Sequence, residues 1–269
     1  MKNLSGNGQI KTLFLSSLLT CFFITISTIC LAAIPLITDD TETQGKGKFQ
    51  VEFLDEYSND KKHVAENEPR VESQQNGVSA TITYGIIDTV DIVFALQYQF
   101  KKIDQGNDKQ CENGFADSAV EAKWRFFEKD GFSLAAKPGI TLPTGNENKG
   151  FGAGRSTYYL YMIGSKESGA WTFHSNIAYI RNDNKNNERN DIWHASLAST
   201  FEVVKGLKLV GDIGIKSNTY RSSTTAPTYI IGGFIYSFIE NFDIGVGVKG
   251  GLTKPETDIA IRGGVTWRF

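Results

Sequence analysis

Apolar and polar residues alternate along most of this chain with a period of two, the repeat of a strand that is apolar on one face and polar on the other. Between 90 and 100, Val90, Ile92, Phe94, Leu96, Tyr98 and Phe100 share one face, while Asp91, Gln97 and Gln99 share the other. In the next such segment Val120, Ala122, Trp124 and Phe126 oppose Asp117, Glu121, Lys123 and Arg125. The pattern predicts twelve strands, at 47–57, 76–86, 90–100, 117–127, 131–141, 156–164, 170–181, 191–202, 206–216, 227–237, 241–250 and 257–269. Each is near the roughly ten residues that a tilted strand needs to cross a bilayer.

The connections alternate in length. Short ones fall at 87–89, 128–130, 165–169, 203–205 and 239–240, and long polar ones lie between them, such as 58–75 and 182–190. An even strand count with alternating short turns and long loops predicts an all-β, twelve-stranded antiparallel up-and-down transmembrane barrel over 47–269. The final segment carries Ile261, Val265, Trp267 and Phe269 on one face. It is expected to close the barrel at the periplasmic rim, with Phe269 read by barrel-assembly machinery.

The other end of the chain changes the picture. Lys2 and Lys11 precede an uncharged apolar run that ends at Ala32-Ala33, the pattern of a secretory signal peptide over 1–33. Residues 34–46 are then expected as a leader on the periplasmic side, disordered in preference to tucked into the barrel. Removing 1–33 takes two of the 28 basic residues and none of the 30 acidic ones, a net of −4 that favours neither nucleic acid nor an anionic surface. Of three cysteines only Cys111 lies beyond that segment, so no internal disulfide is expected. The predicted setting is the bacterial outer membrane, with lipid around the barrel.

If the apolar face meets lipid, parity turns the opposite face into a lumen. Glu52, Asp91, Glu121, Lys123, Arg125, Lys137, Lys208, Asp212, Lys216, Asp243, Lys249, Asp258, Arg262 and Arg268 fall there. Glu121, Lys123, Arg125, Lys137, Lys208, Asp212, Asp243, Lys249, Asp258 and Arg262 are the candidate lumen-lining residues. Their mixed signs allow structural cross-links across the lumen, or a path on which Lys123, Arg125, Lys137, Lys208 and Arg262 favour an anionic or phenolic solute. Tyr84, Tyr98, Trp124, Trp171, Tyr179, Trp193, Trp267 and Phe269 lie near strand ends, where rings anchor at headgroups.

Candidate chemistry is sparse. His194 and Ser196 share a strand face and, with Asn176 on the preceding strand, resemble the His-x-Ser of the outer-membrane phospholipase. Because Trp193, Ala195, Leu197 and Phe201 form the apolar face, the pair is expected in the lumen, away from lipid substrates. His174 and Ser175 are adjacent and face opposite ways. Gly150 to Arg155 superficially suggests a phosphate loop, but it opens a strand and no helix. No residue set has metal-ligand spacing. No cofactor, metal site or enzymatic activity is expected.

Several segments together resemble a known family. They are 38–47 (TDDTETQGKG), 123–127 (KWRFF), 137–145 (KPGITLPTG) and 149–155 (KGFGAGR). These are similar to the outer-membrane barrel family named "Putative MetA-pathway of phenol degradation". The resemblance covers nearly the whole chain after the signal and implies a barrel connected with transport or breakdown of phenolic compounds. The functional expectation is a passive channel for a small solute, of aromatic or phenolic kind by the resemblance; the alternatives are a non-transporting structural or surface-interaction barrel and an outer-membrane lipid hydrolase.

Overall fold

The computed structural model describes residues 33–62, 71–104 and 109–269. The expected signal peptide, apart from Ala33, lies outside the described residues. Thirteen strands are present among them: β1 (Phe49–Lys62), β2 (Val71–Ile87), β3 (Val90–Asp104), β4 (Lys109–Phe115), β5 (Ser118–Lys129), β6 (Phe132–Leu142), β7 (Thr157–Ser168), β8 (Trp171–Arg181), β9 (Asp191–Val204), β10 (Leu207–Lys216), β11 (Thr228–Ile239), β12 (Phe242–Gly251) and β13 (Ile259–Arg268). β4 and β5 are two halves of one stave. β5 pairs with the start of β3 from Val90↔Trp124 to Ala95↔Ala119. β4 continues along the same edge from Tyr98↔Phe115 to Asp104↔Lys109.

Every strand is antiparallel to its neighbours, and β1 closes the ring by pairing with both β2 and β13. At the seam the Phe49 N–H donates to Phe269 O at 2.7 Å and the Phe269 N–H returns to Phe49 O at 2.9 Å. The sheet is therefore a closed twelve-stave barrel, with no free edge along its seam. The expected strands coincide with the observed ones to within a few residues, except at β4. β1 and β2 also run farther than the alternation suggests, into the polar stretch expected as loop.

The alternation is realised as two faces. In β7 the exposure pattern switches strictly, with Tyr158, Leu160 and Met162 outward and Thr157, Tyr159, Tyr161 and Ile163 inward. Outward Ile82, Ile92, Phe94, Ile177, Leu197, Ile213 and Ile261 form an apolar girth that suits a bilayer and would be untenable in water. Asp55 is an exception within this band, between Phe53 and Tyr57 and opposite Val78, where it accepts from Asn76 Nδ2 at 2.6 Å. Rings cluster at both rims: Phe49 with Tyr84 and Phe269, and Trp171 with Phe173 and Phe201, at the short-turn end; Tyr98 with Phe100 and Phe115 at the long-loop end.

No helix among the described residues is long and apolar enough to cross a membrane. The short 3-10 turn Glu147–Lys149 sits in the loop between β6 and β7. Leu197 is 62% exposed midway along β9. Leu197→Lys is expected to destabilise the barrel in lipid vesicles by about 2–4 kcal/mol, measured by reversible denaturant unfolding. A cost near zero would contradict its placement against acyl chains.

Candidate functional site

The sequence favours a disordered leader at 34–46, but the structure seats this segment inside the barrel. From Phe49 the chain turns back through Lys46 and Gln44 at the short-turn end, climbs to Asp39 and Thr38, then crosses to Leu36 and Ile34 on the opposite wall. Its backbone has no ladder of its own, so lumen side chains satisfy it. Asp91 receives the Gln44 N–H, and Asp88 Oδ1 the Lys46 N–H at 3.1 Å. Ser165 Oγ receives the Thr41 N–H at 3.2 Å. Asp212 Oδ2 receives the N–H groups of Ile37 and Thr38 at 2.7 and 2.8 Å, while its Oδ1 receives the Thr38 hydroxyl at 2.7 Å. Arg262 Nε donates to Pro35 O at 2.7 Å.

The strongest contacts are ionic. The Asp39 carboxylate bridges two lysines, with Lys123 Nζ at 2.9 Å from Oδ1 and Lys137 Nζ at 2.6 Å from Oδ2. Lys137 is fully buried and lies 3.5 Å from Glu121 Oε2. Asp40 adds a second carboxylate 3.5 Å from Lys123. With the Asn176 amide oriented to satisfy both partners, its nitrogen donates to Asp39 O at 2.9 Å and its oxygen accepts the Asp39 N–H at 2.8 Å. Apolar contacts continue the seal, since Leu36 packs with Ala198, Val210 and Ile235.

Inward-facing glycines make room for this crossing. A Cβ on Gly245 would lie 2.1 Å from Ile34 O, and one on Gly247 would lie 2.8 Å from Pro35 Cγ. Beside the segment a cavity of ≈ 40 Å³ remains, bordered by Asp39, Asp40, Glu42, Glu52, Asp91 and Lys123. That volume holds only a few waters.

Most sequence-derived lumen candidates belong to this interior. Glu121, Lys123, Lys137, Asp212, Lys249 and Arg262 are buried. Arg262 pairs with Glu56, Lys249 reaches Glu256 at 3.2 Å, and Asp243 holds Arg268 at 2.6 Å near the short-turn rim. Arg125 is partly buried at that end, 3.3 Å from Glu128. Lys208 lies half-buried on the inner face of β10. Asp258 does not line the lumen: it precedes β13 and is exposed at the rim, where Oδ2 accepts the Lys61 N–H at 2.9 Å.

His194 and Ser196 do face inward, with Nε2 3.1 Å from Oγ. The Ser196 hydroxyl also lies 2.8 Å from the Thr38 hydroxyl, so the pair serves the internal segment. The Gly150–Arg155 stretch is no phosphate cradle. Phe151 is buried, and the Asp117 carboxylate already receives the Gly145 and Ala153 N–H groups at 2.9 and 2.8 Å.

One feature escapes parity. The inner face of β6–β9 carries an apolar wall of Ala135, Tyr159, Tyr161, Ile163, Ala178, Ile180 and Ile192. In β7 both faces are apolar, so alternation cannot announce that the inner one departs from a polar lumen. The adjacency is informative: Lys137 pairs in register with Tyr161, and its Nζ lies 5.4 Å from the Tyr161 ring centroid.

At the long-loop end, residues 182–190 are tied to the neighbouring loop by Arg221, whose Nε donates to Glu188 O at 2.9 Å and Nη2 to Asn190 Oδ1 at 2.6 Å. The buried Glu188 side chain receives only the Asn182 amide at 3.2 Å among the described residues. Burial raises its pKa to about 7, against smaller opposing effects of Asn182 and Lys216. The folded loop thus holds the proton more tightly than the open chain, so its stability is greatest at low pH and falls as pH rises from the ordinary carboxylate range to about 7.

A family model described as "Putative MetA-pathway of phenol degradation" matches residues 35–269. Among solved structures, the COG4313 outer membrane channel from Pseudomonas putida F1 superposes with a TM-score of 0.67 at 17% identity, covering 86% of this chain and 98% of that one. The translocator domain of the autotransporter NalP from Neisseria meningitidis gives 0.54 at 10% identity, over 85% of this chain and 91% of that one. The KdgM porin in complex with disordered oligogalacturonate gives 0.51 at 12% identity, over 82% and 99%. At these identities the likeness is one of fold. No curated protein matches the sequence.

Two outcomes are expected. Gly245→Val should dislodge the internal segment and make the bond after residue 40 more accessible to protease in intact vesicles; unchanged protection would contradict the seating. Protection of 182–190 amides from hydrogen exchange, corrected for intrinsic rates, should fall between pH 5 and 8 in the native chain and stay level in Glu188→Gln. Identical profiles would remove Glu188 from the account.

Proposed function

Because the chain belongs to the family described as "Putative MetA-pathway of phenol degradation", and is an outer-membrane β-barrel, we propose that it is a passive channel for a small solute, held shut in this conformation by residues 33–46. The observation that carries this reading is the Asp39 clasp on Lys123 and Lys137, because it fastens the segment to β5 and β6 by side chains, outside the sheet's own hydrogen bonds. A permanent filler would need only apolar packing. A few ion pairs and hydrogen bonds can instead be exchanged for contacts with a solute, without disturbing any strand ladder.

Two known proteins of the same fold are described as a channel and a porin, which supports conduction through this lumen. Twelve staves enclose a narrower lumen than the sixteen to eighteen of water-filled porins. Withdrawal of the segment therefore opens a selective path, not a wide pore. In that path the polar side chains that now satisfy the segment replace part of the solute's hydration. The phenolic substrate suggested by the family description remains part of this proposal, as do acyl chains and assembly machinery as partners.

Removing one partner of a buried ion pair costs about 3–5 kcal/mol. Asp39→Asn is therefore expected to raise the open probability of single channels in planar bilayers by at least about tenfold over the native chain. Equal, negligible conductance for both proteins, with no solute flux into proteoliposomes, would favour a non-transporting barrel closed by its charge network.

A further inference from the structure

Building on the reading of residues 33–46 as a removable plug, we propose that Lys123 and Lys137 form a binding site for a small organic acid with an apolar body. Asp39 occupies that site as an internal stand-in for the solute's carboxylate.

The head group follows from charge. Both oxygens of the Asp39 carboxylate are engaged, one by each ammonium group, at 2.9 and 2.6 Å. Both ion pairs of Lys123 come from the plug, from Asp39 and Asp40. When the plug withdraws, Lys123 loses them, and Lys137 keeps Glu121 at 3.5 Å. The place of the Asp39 carboxylate between the two ammonium groups is then open, with Glu121, Asp91 and Glu52 on the strands around it. A carboxylate entering from solution restores the lost contacts. A neutral isostere cannot form both ion pairs, and a cation forms neither.

The body follows from the adjoining wall. Tyr161 lies beside Lys137 in the β6–β7 register, and Ala178 lies beside Tyr161 on β8. The next inward row toward the long loops is Tyr159, Ile180 and Ile192. Two residues along a strand span about 7 Å, roughly the length of one aromatic ring with its substituent. A carboxylate at the lysines thus leaves its apolar body against Tyr161, Tyr159 and Ile180. Acid binding and plug seating compete for the same two ammonium groups, so each weakens the other by linkage.

The test uses the full chain in detergent micelles, native and Asp39→Asn, titrated calorimetrically with benzoate, benzamide, benzylammonium and acetate. Benzoate is expected to bind Asp39→Asn at least tenfold more tightly than the native chain, and at least tenfold more tightly than the other three probes. Adding Lys123→Gln to Asp39→Asn should remove that preference, with barrel folding verified by heat-modifiable electrophoresis. The four-probe series in Asp39→Asn decides the matter even if the lysine variant does not fold. Equal binding of benzoate and benzamide, or equal benzoate affinity in the native and Asp39→Asn chains, would overturn the proposal. Conductance and benzoate flux measured on the same proteins separate it from the channel reading. Selective benzoate binding without current or flux keeps the site and defeats the channel. Current without benzoate preference keeps the channel and defeats the site.

Discussion

One carboxylate between two lysines organises the interior of this barrel. A strand can carry an ammonium group inward only if something in the lumen compensates its charge. At Lys123 that compensation comes from Asp39 and Asp40, outside the sheet altogether. The wall and the internal segment are therefore interdependent. The wall supplies donors and acceptors to a backbone that has no ladder, and the segment supplies the carboxylates that engage Lys123. Asn176 and Asp212 extend the same exchange on either side of the clasp.

This arrangement depends on the separation of faces. The outward apolar side chains suit a bilayer, so the inner face is released from the duty of forming a conventional core. It is divided instead into a charged region, a small glycine-lined seat for Ile34 and Pro35, and an apolar wall on β6–β9. Closure through β1 and β13 satisfies the sheet's hydrogen bonds independently of these contents. That independence is why a change in the lumen, such as loss of the clasp, need not unfold the barrel.

Much of the scaffold was legible in the sequence because each stave repeats the same physical contrast. Val90 to Phe100 shows it without ambiguity, and parity placed Glu121, Lys123, Lys137, Asp212 and Arg262 inward. β4 was not legible: Lys109–Phe115 is mostly polar and exposed beyond the bilayer's demand for an apolar face, so no alternation marks it. Parity assigns Asp258 to the lumen because the alternation continues past the point where β13 begins. The apolar wall was hidden by Tyr158, Leu160 and Met162, which make the outer face of β7 as apolar as its inner one. The seating of 34–46 was hidden for a different reason. Its partners lie 84 positions away at Lys123 and 174 at Asp212, a separation that local patterning does not encode. The available signal was stoichiometric: acidic Asp39-Asp40 beside a strand set with inward lysines, and inward glycines at 245 and 247.

The most direct test of the account is a reversible tether between the internal segment and the wall. Thr38 Oγ1 and Ser196 Oγ are 2.8 Å apart. A Thr38→Cys/Ser196→Cys chain lacking the three native cysteines should form a disulfide in intact outer membranes. In planar bilayers its channel openings should disappear on oxidation and return on reduction. Absence of the cross-link in a folded barrel, or conductance indifferent to it, would contradict the claim that residues 33–46 occupy and close the lumen.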